Sequence, residues 1–159
     1  MIKKKNILIT GGVGFIGTNL AEKLLSQGHN VISIDDYSFG KKENELEGVH
    51  YINDDITNIS NISESIDICY HLAAKARVQP SFEDPVDYFR VNVKGTMKVM
   101  EWAKKNNIKV VYAGSSSKHF SPEDSPYAMY KFLGEQLCKL YRKSYDLKVE
   151  IARFYNVYG

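Results

Sequence analysis

Cysteine is scarce in this chain. Its two copies among 159 residues, Cys69 closing an apolar run and Cys138 inside a helical pattern, have no metal-ligand spacing and are too few for a disulfide framework. No metal site is expected, and both thiols read as buried and free, which fits a reducing cytoplasm. Long apolar runs are also missing. None approaches the ~20 residues of a membrane span, and the N-terminus lacks the apolar segment and small-residue cleavage site of a signal peptide. Net charge is slight, +2, too little to argue for nucleic acid or an anionic membrane. Lys3-Lys4-Lys5 reads as a solubilising flank before the first strand. Repeats, low-complexity tracts and an interdomain linker are absent as well.

What remains is ordinary for a globular protein, with 43% hydrophobic and 25% charged residues, in a length that fits one domain over 1–159. Apolar strand-like runs at about 5–10, 30–35, 48–52, 67–71, 108–113 and 147–153 alternate with amphipathic stretches. Helices are expected at about 14–27, 81–105 and 127–145, with a short one near 58–65. Parallel strands need crossover connections, so this alternation predicts an α/β fold: a doubly wound parallel sheet in three layers, α/β/α. Its binding crevice would lie at the carboxyl ends of the strands.

The most telling stretch is Ile7-Leu-Ile-Thr-Gly11-Gly-Val-Gly14-Phe15-Ile16-Gly17. A branched apolar run meets glycines at 11, 14 and 17, and an amphipathic segment follows, with Gly28 as its stop. That pattern is a strand, a tight turn and a helix start, built so that main chain can press against a phosphate. The helix N-terminus offers free N–H groups and a positive dipole end to a pyrophosphate. The next strand ends in Asp35-Asp36, about 20 positions on, where a carboxylate can accept hydrogen bonds from the adenosine ribose. An acid there repels a 2′-phosphate and no arginine follows closely, which favours NAD over NADP. Asp54-Asp55-Ile56 reads either as a turn cap or as a contact to the adenine amino group.

A second constellation lies downstream. Ser125-Pro126 signals a helix start, and Tyr127 and Lys131, four apart, share a helix face. A phenol of free pKa near ~10 is a poor base at neutral pH, and a neighbouring ammonium favours its phenolate. Tyr127 could then exchange a proton with a substrate hydroxyl while hydride moves to or from a nicotinamide. Tyr130 has no lysine to support it. Upstream, Ser115, Ser116 and Ser117 follow a strand, either as hydroxyls on the crevice floor or as a polar turn. In His71-Leu72-Ala73-Ala74, the small alanines permit close approach of a cofactor, and His71 reads as a core histidine or as part of the site. Asn92, amid apolar neighbours, is expected to brace the backbone of a neighbouring strand.

Together these pieces, with Gly95-Thr96 and Arg153-Phe154-Tyr155-Asn156, resemble the extended short-chain dehydrogenase/reductases, specifically the NAD-dependent nucleotide-sugar epimerase/dehydratase group. The resemblance implies a Rossmann domain in which Gly11, Gly14 and Gly17, with Phe15 and Ile16, hold the pyrophosphate. Asp35 with Asp36 would take the adenine ribose, Asp55 and Ile56 the adenine, and Leu72, Ala73, Ala74 and Asn92 the wall beside it. It further implies Tyr127 as acid/base, Lys131 on the nicotinamide ribose, Ser115 and Ser117 on the sugar, Phe154 beside the nicotinamide and Asn156 on the substrate diphosphate. The reaction would be epimerisation of a uridine-diphosphate hexose through a transient 4-keto sugar. A homodimer through helices 81–105 and 127–145 is also expected, with Met97, Trp102, Phe132, Leu137 and Tyr141 either making the contacts or packing the core.

Two departures qualify this picture. The loop between the serines and Tyr127 is short, so sugar selectivity is not read from it. Family members also continue for a stretch about as long again, forming most of a smaller substrate domain, so the chain reads as the cofactor half of a longer enzyme or as a non-catalytic NAD-binding remnant. Dehydratases of the group place an Asp–Glu pair where this chain has Ser116 and Ser117. That favours epimerisation over elimination, with reductase and decarboxylase chemistry as alternatives.

Overall fold

The branched apolar runs become six strands: β1 (Asn6–Thr10), β2 (Asn30–Asp35), β3 (Val49–Asn53), β4 (Ile68–His71), β5 (Lys109–Ser115) and β6 (Val149–Phe154). All pair in parallel, in the order β3-β2-β1-β4-β5-β6. Strand order reverses between β1 and β4, which opens the crevice of a doubly wound sheet there. The computed structural model describes residues 3–116, 121–155 and 157–158.

Alternation along β1 divides the core. Ile7 and Ile9 pack with Ala21 and Leu24 of helix α1 (Phe15–Ser26) on one face. Leu8 joins Val99, Met100, Val110 and Cys138 on the other, under helices α4 (Thr96–Asn106) and α5 (Pro126–Tyr145). A side chain moves to the other face with each residue of a strand, so this split fixes the register. Helix α5 starts where the sequence signals it: the Ser125 side chain accepts from the Ala128 N–H and Pro126 stands at the first helical position.

The single helix expected over 81–105 is instead three pieces. Helix α2 (Gln79–Glu83) stops at Asp84 and helix α3 (Pro85–Phe89) restarts there. Pro85 has no N–H to continue the first piece, and the Asp84 side chain caps the second by accepting from Asp87 N–H. A wide i→i+5 turn over Arg90–Gly95 then leads into α4. The helix expected near 58–65 is a 3-10 turn over Ile56–Asn61, capped by Asp55. Two of the residues considered for a dimer face, Trp102 and Tyr141, are buried in the core, and Leu137 packs against it. Met97 and Phe132 are each 42% exposed.

Candidate cofactor and reaction site

The turn after β1 is held by main chain. Gly11 N–H donates to Ile34 O at 2.9 Å and Gly14 N–H to Gly11 O at 3.3 Å. Gly11 has φ +74°, and a Cβ there would lie 2.9 Å from Ala73 N. A Cβ on Gly17 would stand 2.3 Å from Gly11 O, so the first turn of α1 packs directly on the glycine backbone. No side chain caps α1 and its first turn has no acid, which leaves the helix start as a bare anion cradle. Gly11, Gly14, Phe15, Ile16 and Gly17 all line one cavity of about 660 Å³.

A narrower cavity continues from it past Asp35, Asp36, Asp54, Ile56, Leu72, Ala73 and Ala74. The Asp35 carboxylate is pinned by Tyr37 N–H at 2.9 Å and Val13 N–H at 3.1 Å. Burial raises its pKa above the ordinary carboxylate value, against the opposing pull of those N–H donors. The oxygens keep lone pairs to accept ribose hydroxyls. Asp36 turns back on its own loop, accepting from Ser38 N–H and Oγ. Asp55 lines neither cavity. One of its oxygens caps Thr57, accepting from N at 2.8 Å and Oγ1 at 2.6 Å, and the other pairs with Arg90. Its sequence neighbours Asp54 and Ile56 face the space instead. Asp55 thus caps the turn, one of its two expected roles.

Between the two cavities a buried polar chain sets the wall. Thr96 donates its hydroxyl to Asn92 O at 2.7 Å, so His71 Nε2, 3.0 Å from that oxygen, must be the donor to it. His71 Nδ1 then accepts from Thr10 Oγ1 at 2.8 Å, and Thr10 Oγ1 accepts from Ala73 N–H at 3.0 Å. Burial, with Lys131 nearby, lowers the His71 pKa to about 3, so the ring is neutral and serves as a core histidine. Asn92 braces main chain of the loop after β4 rather than of a strand: its Oδ1 accepts from Lys75 N–H at 2.8 Å and its Nδ2 donates to Lys75 O at 2.9 Å.

On the other side of the crevice, Ser115, Tyr127, Lys131 and Phe154 line the same 660 Å³ cavity as the glycine turn. Helix α5 presents Tyr127 and Lys131 on one face, as their spacing requires. Lys131 is 7% exposed; its Nζ donates to Ala113 O at 2.9 Å and sits 5.4 Å from the centre of the Tyr112 ring. Burial lowers its pKa to about 8, with Glu135 among the groups opposing the shift. Tyr130 packs edge-on against Phe89 at 5.6 Å, away from this group. Ser117 and Asn156 lie outside the described residues. Among the described residues, no cluster of His, Cys, Asp and Glu is placed to hold a metal ion, and no helix is long and apolar enough to cross a membrane.

Sequence reasoning assigned no role to three supporting residues. Ser81, buried in α2, accepts from Tyr127 N–H at 3.1 Å and fixes the start of α5. Buried Glu135 and part-exposed Arg153 form a two-point pair. Glu135 falls four residues after Lys131 on the same face, a signal that was available.

Residues 7–159 match the model of the NAD dependent epimerase/dehydratase family. The chain belongs to that family. Its cofactor is NAD, and the glycine cradle, the uncapped helix start and the Asp35 carboxylate fit that dinucleotide. The chain is 34% identical to a putative UDP-glucose 4-epimerase of Methanocaldococcus jannaschii, over 96% of this chain and 56% of that protein. It is also 34% identical to a UDP-N-acetyl-alpha-D-glucosaminuronate decarboxylase of Bacillus cytotoxicus, over 98% of this chain and 56% of that one. The Bordetella bronchiseptica enzyme WbmF, solved with NAD+, superposes with a TM-score of 0.90 at 32% identity, over 99% of this chain and 52% of WbmF. The chain spans about half the length of the relatives it matches.

Proposed function

We propose that this chain is the cofactor half of a nucleotide-sugar 4-epimerase. One observation carries the reading: Ser115, Tyr127 and Lys131 share a single cavity with the glycine turn, so proton and hydride chemistry meet in one place. NAD, when bound, supplies a reversible hydride acceptor. Tyr127 takes the proton from the sugar 4-hydroxyl as C4 gives up hydride, and returns it when hydride comes back to the opposite face. Ser115 donates to the reacting oxygen, and Lys131 holds the nicotinamide ribose and supports the ionised phenol. Asn156 and Ser117 would complete the sugar-diphosphate contacts. The partner is a nucleoside-diphosphate hexose, and the two buried free thiols suit a reducing cytoplasm.

Decarboxylation is the second reading, favoured by the identity to a decarboxylase over nearly the whole chain. It begins with the same oxidation at C4 and needs the same residues. A third reading is an NAD-binding domain without turnover. Exposed Met97 and Phe132, with Val86, Phe89 and Leu140, offer an apolar surface for a homodimer through α3, α4 and α5. Calorimetry with NAD, run beside an assay of uridine-diphosphate hexose epimerisation, tests the proposal. NAD binding with 4-epimerisation supports it, whereas binding without epimerisation leaves the second and third readings in its place. Absence of NAD binding overturns all three.

A further inference from the structure

Glu135 is 5% exposed and sits one turn beyond Lys131 on α5. Its two oxygens accept from Arg153, Oε1 from Nε at 2.9 Å and Oε2 from Nη2 at 2.8 Å. This fork-to-fork geometry fixes both partners in plane. The pair also leans on bare backbone: a Cβ on Gly114 would stand 2.7 Å from Glu135 Oε1 and 3.1 Å from Arg153 Cγ. Gly114 lies opposite Arg153 in the β5–β6 register, and the next step brings Ser115 opposite Phe154. Three elements that carry the reaction site, α5, β5 and β6, are therefore locked at one point.

We propose that the Glu135–Arg153 pair is a positioning and charge-balancing device, which sets Ser115 and Phe154 against α5 and keeps the buried Lys131 amine in its charged form. Lys131 is faced by Glu135 and Cys138 from its own helix, by the Tyr112 ring from β5 and by His71 from β4. Tyr127 stands one turn before it, and Arg153 reaches the cluster from β6. The Tyr112 hydroxyl and the Cys138 thiol are both pushed up by burial and stay neutral, and His71 is neutral too. Among the groups acting on Lys131, Glu135 is thus the carboxylate, and it is ion-paired with Arg153. Arg153 holds that carboxylate in place and partly offsets it. Removing one member or the other must move the Lys131 titration in opposite directions, which a purely structural clamp would not do.

The consequence for NAD rests on the reading of Lys131 as the nicotinamide-ribose residue, so the test has an arm free of NAD. The full chain is labelled with ¹³C-lysine, and the Lys131 signal is assigned by its loss in Lys131→Arg. The expected midpoint is about 8 in the parent, roughly a unit lower in Glu135→Gln, and higher in Arg153→Met. Arg153→Lys keeps the charge and should stay near the parent value. Midpoints that do not move, or that move the same way in folded proteins, overturn the proposal. Should Glu135→Gln fail to fold, Arg153→Met against Arg153→Lys decides it: no rise in the former overturns it. In parallel, NAD affinity measured against pH should fall at each variant's own midpoint. A parent that binds no NAD defeats the proposed function and the ribose reading with it but not the pair, because the carbon signal still reports on the pair.

Discussion

The two sides of the crevice are built from different materials. The β1–α1–β2 side uses main chain: a glycine turn, an uncapped helix start, and a carboxylate pinned by two backbone N–H groups. The β4–β5–α5–β6 side uses ionisable side chains: buried His71, Lys131 and Glu135, with part-exposed Arg153 paired to the last. Main-chain recognition is insensitive to pH but tolerates no added atom. Side-chain recognition tolerates small changes of shape but responds to every proton. This contrast gives each side its own way of failing.

Acid should expose the difference most strongly. His71 titrates at about 3 in the folded chain against an ordinary 6.5. Between those values the unfolded state binds the extra proton, so stability falls as pH drops through that window. The full loss is about 5 kcal/mol at most, to which the paired Asp55 and Asp87, both held low by partners, add their own acid sensitivity. Urea melts from pH 7 to pH 4 should therefore show a steeper decline in the parent than in His71→Gln. Equal slopes would mean that the ring is not held neutral by its surroundings.

At the alkaline end Lys131 has the opposite charge balance and the same sign. Its folded value of about 8 lies below the ordinary 10.5, so above pH 8 the unfolded chain again holds the extra proton. Stability then rises with pH across that window, by up to about 3 kcal/mol. Lys131→Met should flatten this rise in denaturant melts between pH 8 and pH 10. NAD affinity should fall over the same range, since the neutral amine is a weaker donor to a ribose hydroxyl. A protein that binds NAD more tightly as it becomes more stable would break the assigned role.

The glycine turn itself, unlike the Asp35 carboxylate beside it, carries no titratable group and should fail on volume. Gly17→Ala drives a Cβ into Gly11 O and the Gly12 backbone, where nothing flexible can yield. About 2 kcal/mol of stability should be lost, and NAD affinity should fall by about a hundredfold as the cradle opens. Thermal melts and calorimetry report the two effects separately. Retention of both would show that the turn is not where the dinucleotide sits.

How much of this was legible in the residues follows the same division. Features set by local spacing could be read directly: the strand–turn–helix at 7–17, the acid at 35, and Tyr127 with Lys131 on one face of a capped helix. Features set by tertiary approach could not. Asp55 matches its expected motif position, yet its oxygens are taken by Thr57 and by Arg90, 35 residues away. Trp102 and Tyr141 lie five and nine residues from Met97 and Phe132, spacings that put each pair on different helix faces, yet which face meets the core is settled by packing. The break at Asp84 is a different case, because Asp84-Pro85 announced it in the sequence. The wide turn at Arg90–Gly95 had no such local mark. It places Arg90 and Asn92 to reach two loops at once.

The smallest effect tests whether glycines on the main-chain side differ among themselves. Gly28, after α1, has φ +82° but nothing within 4 Å of a Cβ. Its hydrogen bonds are those of a helix end, with N–H donated to Leu25 O at 2.9 Å. Alanine there meets only the conformational cost of a left-handed backbone, about 1 kcal/mol, and asparagine less than that. The melting temperature should drop by roughly 2–4 °C for alanine, with NAD affinity held within about twofold of the parent, since the residue sits at the far end of α1 from the cradle. Gly17 and Gly28 then separate cleanly: one glycine admits a neighbouring backbone and governs both binding and stability, while the other admits a dihedral angle and governs stability alone. A Gly28→Ala protein that lost NAD binding would show the two ends of α1 to be coupled, and the cradle to depend on the helix as a whole.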